Sequence, residues 1–332
     1  MKATSPDSRP RRFDPRRDIE SVVDLITIAF AGALNPASRA TLEEMRRAAR
    51  PSSVPWRAGW LAWSGVGVTP GFVWEVDGRI VGNVSLRRSA TRGGFFVGNL
   101  AVHPEWRRKR VAARLMDAAL DEIIRLGGRW IGLEVRAGNE PARALYERLS
   151  FQEVGSTKYL VRTAQHEWVT RPTDHPLLRR GRARDMRPLL DLMCRIIPAD
   201  HRALLELGSR RYDPGWQRTL DHWLAGQRQT WWLVEEDGAI RGAVRALRDW
   251  GRRPDQLDLL IAPEAAGRFE GLLVGRGMAS LSGSRAKIVE TVLVPPAEPL
   301  IASLEAAGFF EATVLSQMRL DLSPAGRRGG RK

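Results

Sequence analysis

The run NLAVHPEWRRKRVAARLMDAALDEIIRLGG occupies residues 99–128. Its first four residues read as the end of an apolar strand, which His103-Pro104 stops. From Val111 the apolar positions Val111, Leu115, Ala118, Ala119 and Ile123 recur at helical spacing, and Gly127-Gly128 ends the helix. A strand that turns straight into a helix leaves several backbone N–H groups without intrahelical partners, and the helix dipole adds partial positive charge there. Arg107, Arg108, Lys109 and Arg110 surround the turn. On these residues alone two readings stand: an anion site, or a solvated basic face at a helix start.

Downstream, LEVRAGNEPARALYERLSF fills residues 133–151. It begins as a strand, breaks at Ala137-Gly138-Asn139, and continues as a helix ending near Ser150. Glu134 alternates with Leu133 and Val135, so it projects from the sheet. Tyr146 lies one helix further on, and Asn139 sits at the turn, where it is also placed to cap the helix.

The strand–turn–helix belongs to a unit that the chain writes twice. Arg17-Asp18 opens a helical pattern, and so does Arg184-Asp185. WEVDGRIVG (74–82) matches LVEEDGAIRG (233–242), each an Asp-Gly hairpin. LAVHPE (100–105) parallels LIAPE (260–264), and LSFQEVG (149–155) parallels AGFFEAT (307–313). Four matches in one order point to duplication. Each copy reads as strand, helices, hairpin, strand, helix, strand, helix and closing strands, an α/β sheet with helices on its faces. The expected organisation is a basic tail over 1–9, a first copy over 10–163, a linker over 164–176, a second copy over 177–322 and a basic tail over 323–332.

Composition sets bounds. The 332 residues are comfortable for two domains, and 43% hydrophobic with 27% charged content is that of a globular protein. No run approaches the roughly 20 apolar residues of a membrane span, and MKATSPDSRPRRFDPRR lacks a signal-peptide core. The expectation is a cytoplasmic protein. The single cysteine, Cys194, excludes an internal disulfide and a multi-cysteine metal site; its apolar helical setting reads as packing. No metal is expected. The formal net charge is +15, of which residues 1–17 and 325–332 supply +4 each. Such ends attract nucleic acid weakly and non-specifically, and no RNA-binding signature accompanies them, so no specific nucleic-acid site is expected.

Residues 102–116, VHPEWRRKRVAARLM, resemble the acetyl-CoA signature of the GCN5-related N-acetyltransferase (GNAT) superfamily: an apolar strand, a Pro, then Arg/Gln-x-x-Gly-x-Gly/Ala at the helix start. Arg107 takes its first position and Ala112 its last; Arg110 replaces the middle glycine. The resemblance spans the first copy and implies tandem GNAT folds, each a mixed twisted sheet flanked by helices. It also implies acetyl-CoA as co-substrate, held at Leu100, Ala101, Val102, Arg107, Arg108, Lys109, Arg110, Val111, Ala112, Ala113 and Asn139. The Val102 N–H would hold the oxyanion, a partly buried Glu134 would take the amine proton, and Tyr146 would protonate the departing sulfur. Ser150 replaces a glycine usual before Phe151.

The block 133–151 further resembles ribosomal-protein alanine N-acetyltransferases, which implies a peptide or protein N-terminal amine as acceptor; a small-molecule amine stays open. Trp56, Trp60 and Trp63 are candidates to line an acceptor groove. The second copy, with PEAAGRFEGLLVG (263–275), lacks the first arginine and brings Glu270 to the turn. It also lacks the Asn and Tyr while keeping Glu290, which marks it as degenerate. The rival reading is a non-catalytic acyl-CoA-binding or ribosome/RNA-associated module.

Overall fold

A computed structural model of the protein describes residues 9–31, 46, 68–163, 174–207, 213–251, 253–283 and 288–322. Residues 1–8 and 323–332 of the tails, 164–173 of the linker, and Trp56, Trp60 and Trp63 lie outside the described residues. Along the chain the strands are β1 (Pro10–Arg12), β2 (Val68–Val76), β3 (Arg79–Arg88), β4 (Gly94–Val102), β5 (Trp130–Arg136), β6 (Gln152–Thr163), β7 (Leu178–Arg180), β8 (Gln227–Glu236), β9 (Ala239–Asp249), β10 (Asp255–Ile261), β11 (Ile288–Leu293) and β12 (Phe310–Asp321). The helices are α1 (Pro15–Ala29), α2 (Val111–Arg125), α3 (Glu140–Arg148), α4 (Met186–Ile196), α5 (Ala199–Leu204), α6 (Trp216–Leu224), α7 (Glu270–Ser280) and α8 (Glu298–Ala306).

Two compact units result. The first comprises Met1–Glu134, Pro141–Gln152 and Met318–Lys332; the second comprises Val135–Glu140 and Glu153–Gln317. In the first, the strand order is β1-β2-β3-β4-β5, antiparallel up to β4 and parallel between β4 and β5. The mixed sheet is buried on both faces. Val22, Leu25 and Ile26 of α1 pack with Val73, Ile80 and Ala101. On the other face α2 sits so close to β3 that a Cβ on Gly82 would lie 2.8 Å from Val111 and 2.9 Å from Leu115. In the second unit the order is β12-β6-β11-β10-β9-β8-β7, again mixed, with β10 and β11 parallel. Its core joins Leu189, Leu192 and Met193 of α4 to Leu273, Val274 and Met278 of α7.

The duplication is visible in detail. Both hairpins close through two-residue turns with both residues left-handed, Asp77 (φ 49°) with Gly78 (φ 76°), and Asp237 (φ 52°) with Gly238 (φ 73°), as the Asp-Gly pairs require. In the first unit Arg11 grips Asp18 with two hydrogen bonds of 2.7 and 2.8 Å and reaches Glu75 at 2.7 Å. In the second, Arg179 grips Asp185 at the same two distances and also bonds Glu235.

Two expectations need correction. The compact units do not follow the order of the repeats along the chain: β6, which closes the first copy in sequence, pairs antiparallel with β11 from Thr163↔Ile288 to Lys158↔Leu293 and belongs to the second unit. The chain from Met318 onward belongs to the first unit, where Leu322 N–H donates to Arg129 O at 2.8 Å and Arg319 lies over the Trp130 ring. Cys194 is exposed rather than packed, because α4 turns Leu192 and Met193 inward and leaves the next position on its outer side.

Candidate active site

The first unit's β4 and β5 pair only over Gly94↔Trp130, Phe95↔Ile131 and Phe96↔Gly132. Beyond those pairs β4 continues to Val102 and β5 to Arg136. Past the paired stretch β4 is also irregular against its other neighbour. Against β3, Asn83 faces Ala101 but Ser85 faces Gly98, so two residues of β4, Asn99 and Leu100, oppose Val84 alone. This is a β-bulge, with Asn99 left-handed at φ 50°. Residues 100–102, the expected partners of the cofactor arm, follow the bulge directly.

His103 then turns the chain. Its N–H donates to Val81 O at 2.9 Å and its Nε2 lies 2.8 Å from an Arg79 guanidinium nitrogen. A short 3-10 turn, Pro104–Trp106, leads to four exposed residues, Arg107, Arg108, Lys109 and Arg110. Arg107 also reaches Ala29 O at 3.2 Å, and Lys109 lies 4.3 Å from the Trp106 ring centroid. Arg108 (φ 62°) and Arg110 (φ 61°) are both left-handed, which explains why a glycine is usual at the second of these positions.

Helix α2 starts with no side-chain cap and no acidic residue in its first turn, and its first helical bond runs from Arg114 N–H to Arg110 O at 3.1 Å. The N–H groups of Val111, Ala112 and Ala113 precede that bond, so the helix end offers donors and positive charge together. Val111 is buried, while Ala112 and Ala113 are half-buried. This turn fits a pyrophosphate on chemistry: uncapped donors directly preceded by four exposed cationic residues.

Tyr146 lies on α3 and is buried, its ring 5.9 Å from that of Phe151. Burial pushes its hydroxyl up to about 12, so it holds its proton across the physiological range. Glu134 is exposed, not partly buried, because Leu133 and Val135 on either side turn into the core. Asn139 is exposed at the turn before α3, its N–H donating to Arg136 O at 2.9 Å, and belongs to the second compact unit. Ser150 is left-handed at φ 68°, where the second copy has Gly308 at φ 82°.

The corresponding turn of the second unit is filled from within. Gly267 takes the left-handed position (φ 82°). Glu270, 4% exposed at the first position of α7, accepts the N–H of Gly267 at 2.7 Å and of Phe269 at 3.0 Å. A buried carboxylate thus occupies this turn, bonded to the N–H groups that stand where those of Arg108 and Arg110 stand in the first unit, directly before the helix's own first N–H groups. The strand before it carries no bulge, since β10 pairs with β9 in unbroken register from Gln256↔Leu247 to Ile261↔Gly242. Glu290, retained on β11, has its carboxyl pushed up by burial.

Asn83, 2% exposed, and the bulge at Asn99 escaped the sequence reading. The available signal was an amide within the apolar run of β3. Among the described residues no group of three or more His, Cys, Asp or Glu is placed to hold a metal ion, and no helix is long and apolar enough to cross a membrane.

Residues 39–151 match the Acetyltransferase (GNAT) family. The [ribosomal protein bS18]-alanine N-acetyltransferase of Escherichia coli K12 is 42% identical over 55 residues, which is 17% of this chain and 37% of that protein. An N-alpha-acetyltransferase of Saccharolobus solfataricus is 37% identical over 95 residues, covering 25% of this chain and 56% of the relative. The chain therefore spans between a third and somewhat over half of the length of these curated relatives. A solved tandem GNAT protein from the clavulanic acid biosynthesis pathway shares the fold over 96% of this chain and 99% of its own, with a TM-score of 0.58 at 16% identity.

Proposed function

We propose, from the premise that this chain carries a GNAT acetyltransferase domain in residues 39–151, that its first unit moves an acetyl group from acetyl-CoA to a primary amine. The favoured acceptor is the N-terminal amine of a peptide or protein. The observation that carries the reading is the uncapped, acid-free start of α2, directly preceded by the exposed Arg107, Arg108, Lys109 and Arg110, after a strand whose pairing with its neighbour has ended. The acceptor class rests on the ribosomal-protein alanine N-acetyltransferase and the N-alpha-acetyltransferase similar to this region.

Acetyl-CoA supplies the activated acyl carbon that the amine attacks. The backbone N–H groups at 111–113 and the flanking cations would hold its phosphates. Residues 100–102, freed from β5, would pair with its arm, and the Val102 N–H would face the oxygen on which negative charge grows. Tyr146, protonated because it is buried, is suited to give a proton to the departing sulfur. Glu134, exposed on β5, is suited to take the amine proton directly or across one water.

Titration with acetyl-CoA followed by an amine panel, with peptides among the acceptors, tests the reading. Acetylated product is expected. Tyr146→Phe should lower kcat by about a hundredfold and Glu134→Gln by about tenfold. Changes within about twofold for both would remove these residues from the mechanism. Binding without product from any amine would favour a non-catalytic acyl-CoA-binding module.

A further inference from the structure

Strand β3 reads RIVGNVSLRR, and Asn83 is a buried amide in it. A buried amide costs free energy unless its donors are used. The Asn83 Nδ2 donates to Asn99 O at 3.0 Å and stands 3.4 Å from Ser85 Oγ, while Asn99 Nδ2 stands 3.5 Å from the same hydroxyl. Its partner is therefore the carbonyl of the left-handed residue that makes the β4 bulge.

The second unit supplies a comparison within the same chain. There Gly242 faces Ile261 as Gly82 faces Val102, so the two hairpins share an end point. Counting back from it, Ala243 opposite Leu260 stands where Asn83 stands opposite Ala101. Arg245 opposite Asp258 stands where Ser85 stands opposite Gly98. Arg245 and Asp258 form a buried ion pair at 2.6 Å across a regular ladder. The fold thus forms without an amide at this place, and where the amide is missing the bulge is missing too. The second unit's helix start is the one that Glu270 fills.

We propose that Asn83 is a positioning residue for acyl-CoA. It holds the Asn99 carbonyl outside the ladder, and so sets where the backbone groups of residues 100–102 point. Without that bond the ladder is free to return to regular register, as in the second unit. A one-residue slip would turn each following position of β4 to the opposite face. The effect falls on the arm of the ligand and spares the phosphates, whose seat lies beyond His103. This rests on the acetyl-CoA reading of the first unit.

The test is isothermal titration of the full chain with two ligands, acetyl-CoA and an adenosine bisphosphate that keeps the nucleotide end without the arm. Asn83→Ala should weaken acetyl-CoA about tenfold or more while leaving the nucleotide within about twofold of wild type. Asn83→Asp, equal in size but without the amide donor, should do the same and carries the test if the alanine variant does not fold. Equal weakening of both ligands in a folded variant would mean general damage and overturns the proposal, as does unchanged acetyl-CoA binding. Wild-type protein that binds neither ligand overturns the acetyl-CoA reading itself and this proposal with it.

Discussion

Arg110 and Ser150 are L-residues held in the left-handed region, at φ 61° and 68°. That region costs a side-chain-bearing residue about 1 kcal/mol relative to glycine. Comparing Arg110→Gly with Arg110→Ala isolates this term, since both remove the same charge. The glycine variant should be the more stable by about 1 kcal/mol in a urea melt. Ser150→Gly should stabilise and Gly308→Ala destabilise by similar amounts; in the latter the added Cβ meets only ordinary contact, 3.4 Å from Arg162. Tyr146 makes a pH prediction. Its folded value is raised by burial from 10.0 to about 12, so its contribution to stability is complete below pH 10 and is lost as pH rises through about 12. Tyr146→Phe should remove that part of the alkaline loss. An unchanged alkaline melting profile would mean that the hydroxyl is solvated.

Among elements, the hairpins and the strand–turn–helix were legible because their signals are local. Asp-Gly fixes a turn, and helical spacing after His103-Pro104 fixes α2. The bulge in β4 was not legible, since it depends on a contact between Asn83 and Asn99 across two strands. Glu134's exposure was misjudged for a related reason: alternation shows that it leaves the core but not what covers that face. The repeated Arg–Asp–Glu clusters were half legible, with Asp18 and Asp185 marked by the repeat and their arginines on short edge strands not. Burial alone would raise the Asp18 pKa, but the Arg11 hydrogen bonds and the Asp14 N–H hold it below its ordinary value. Asp18→Ala would leave the Arg11 guanidinium with Glu75 and the Arg12 carbonyl and leave the Asp14 N–H without the Asp18 carboxylate it donates to. The expected loss is about 3 kcal/mol, and Asp185→Ala should match it in the second unit. Glu122 of α2 works alike, 6% exposed and gripped by Arg125 and Arg12. The Arg125 bonds, with Arg12 adding to them, lower its carboxyl from 4.5 to about 2. Its contribution is therefore present above pH 4.5 and lost as pH falls through about 2. A Glu122→Gln variant should show a shallower acid transition.

Over the whole molecule, the duplication was readable from four aligned matches, but the membership of the closing strands was not. Which strand pairs with β11 is a choice between similar, apolar, well-separated segments, and nothing local distinguishes them. The difference between the two turns was readable in part: Ala266 in place of Arg107, and Glu270 at the helix start. What Glu270 does became clear only from its bonds to the Gly267 and Phe269 N–H groups. Those bonds lead to a prediction about stoichiometry. Acetyl-CoA should bind at about one site per chain, because a phosphate on the second turn would bury its negative charge beside the Glu270 carboxylate. Adding a carboxylate to the first unit's turn tests this. Ala112→Glu places a carboxylate in the acid-free first turn of α2, where it can meet the free N–H groups and the helix dipole. Stability should hold or rise by about 0.5 kcal/mol, while acetyl-CoA binding falls by two orders of magnitude or disappears. Stability and affinity moving in opposite directions separates a filled seat from a damaged domain. Glu270→Gln should add no second site, since Ala266 still stands in place of the leading arginine. Two sites in wild type would show that Glu270 does not close the second turn, and an Ala112→Glu variant that binds normally would show that the phosphates sit elsewhere than on the α2 turn.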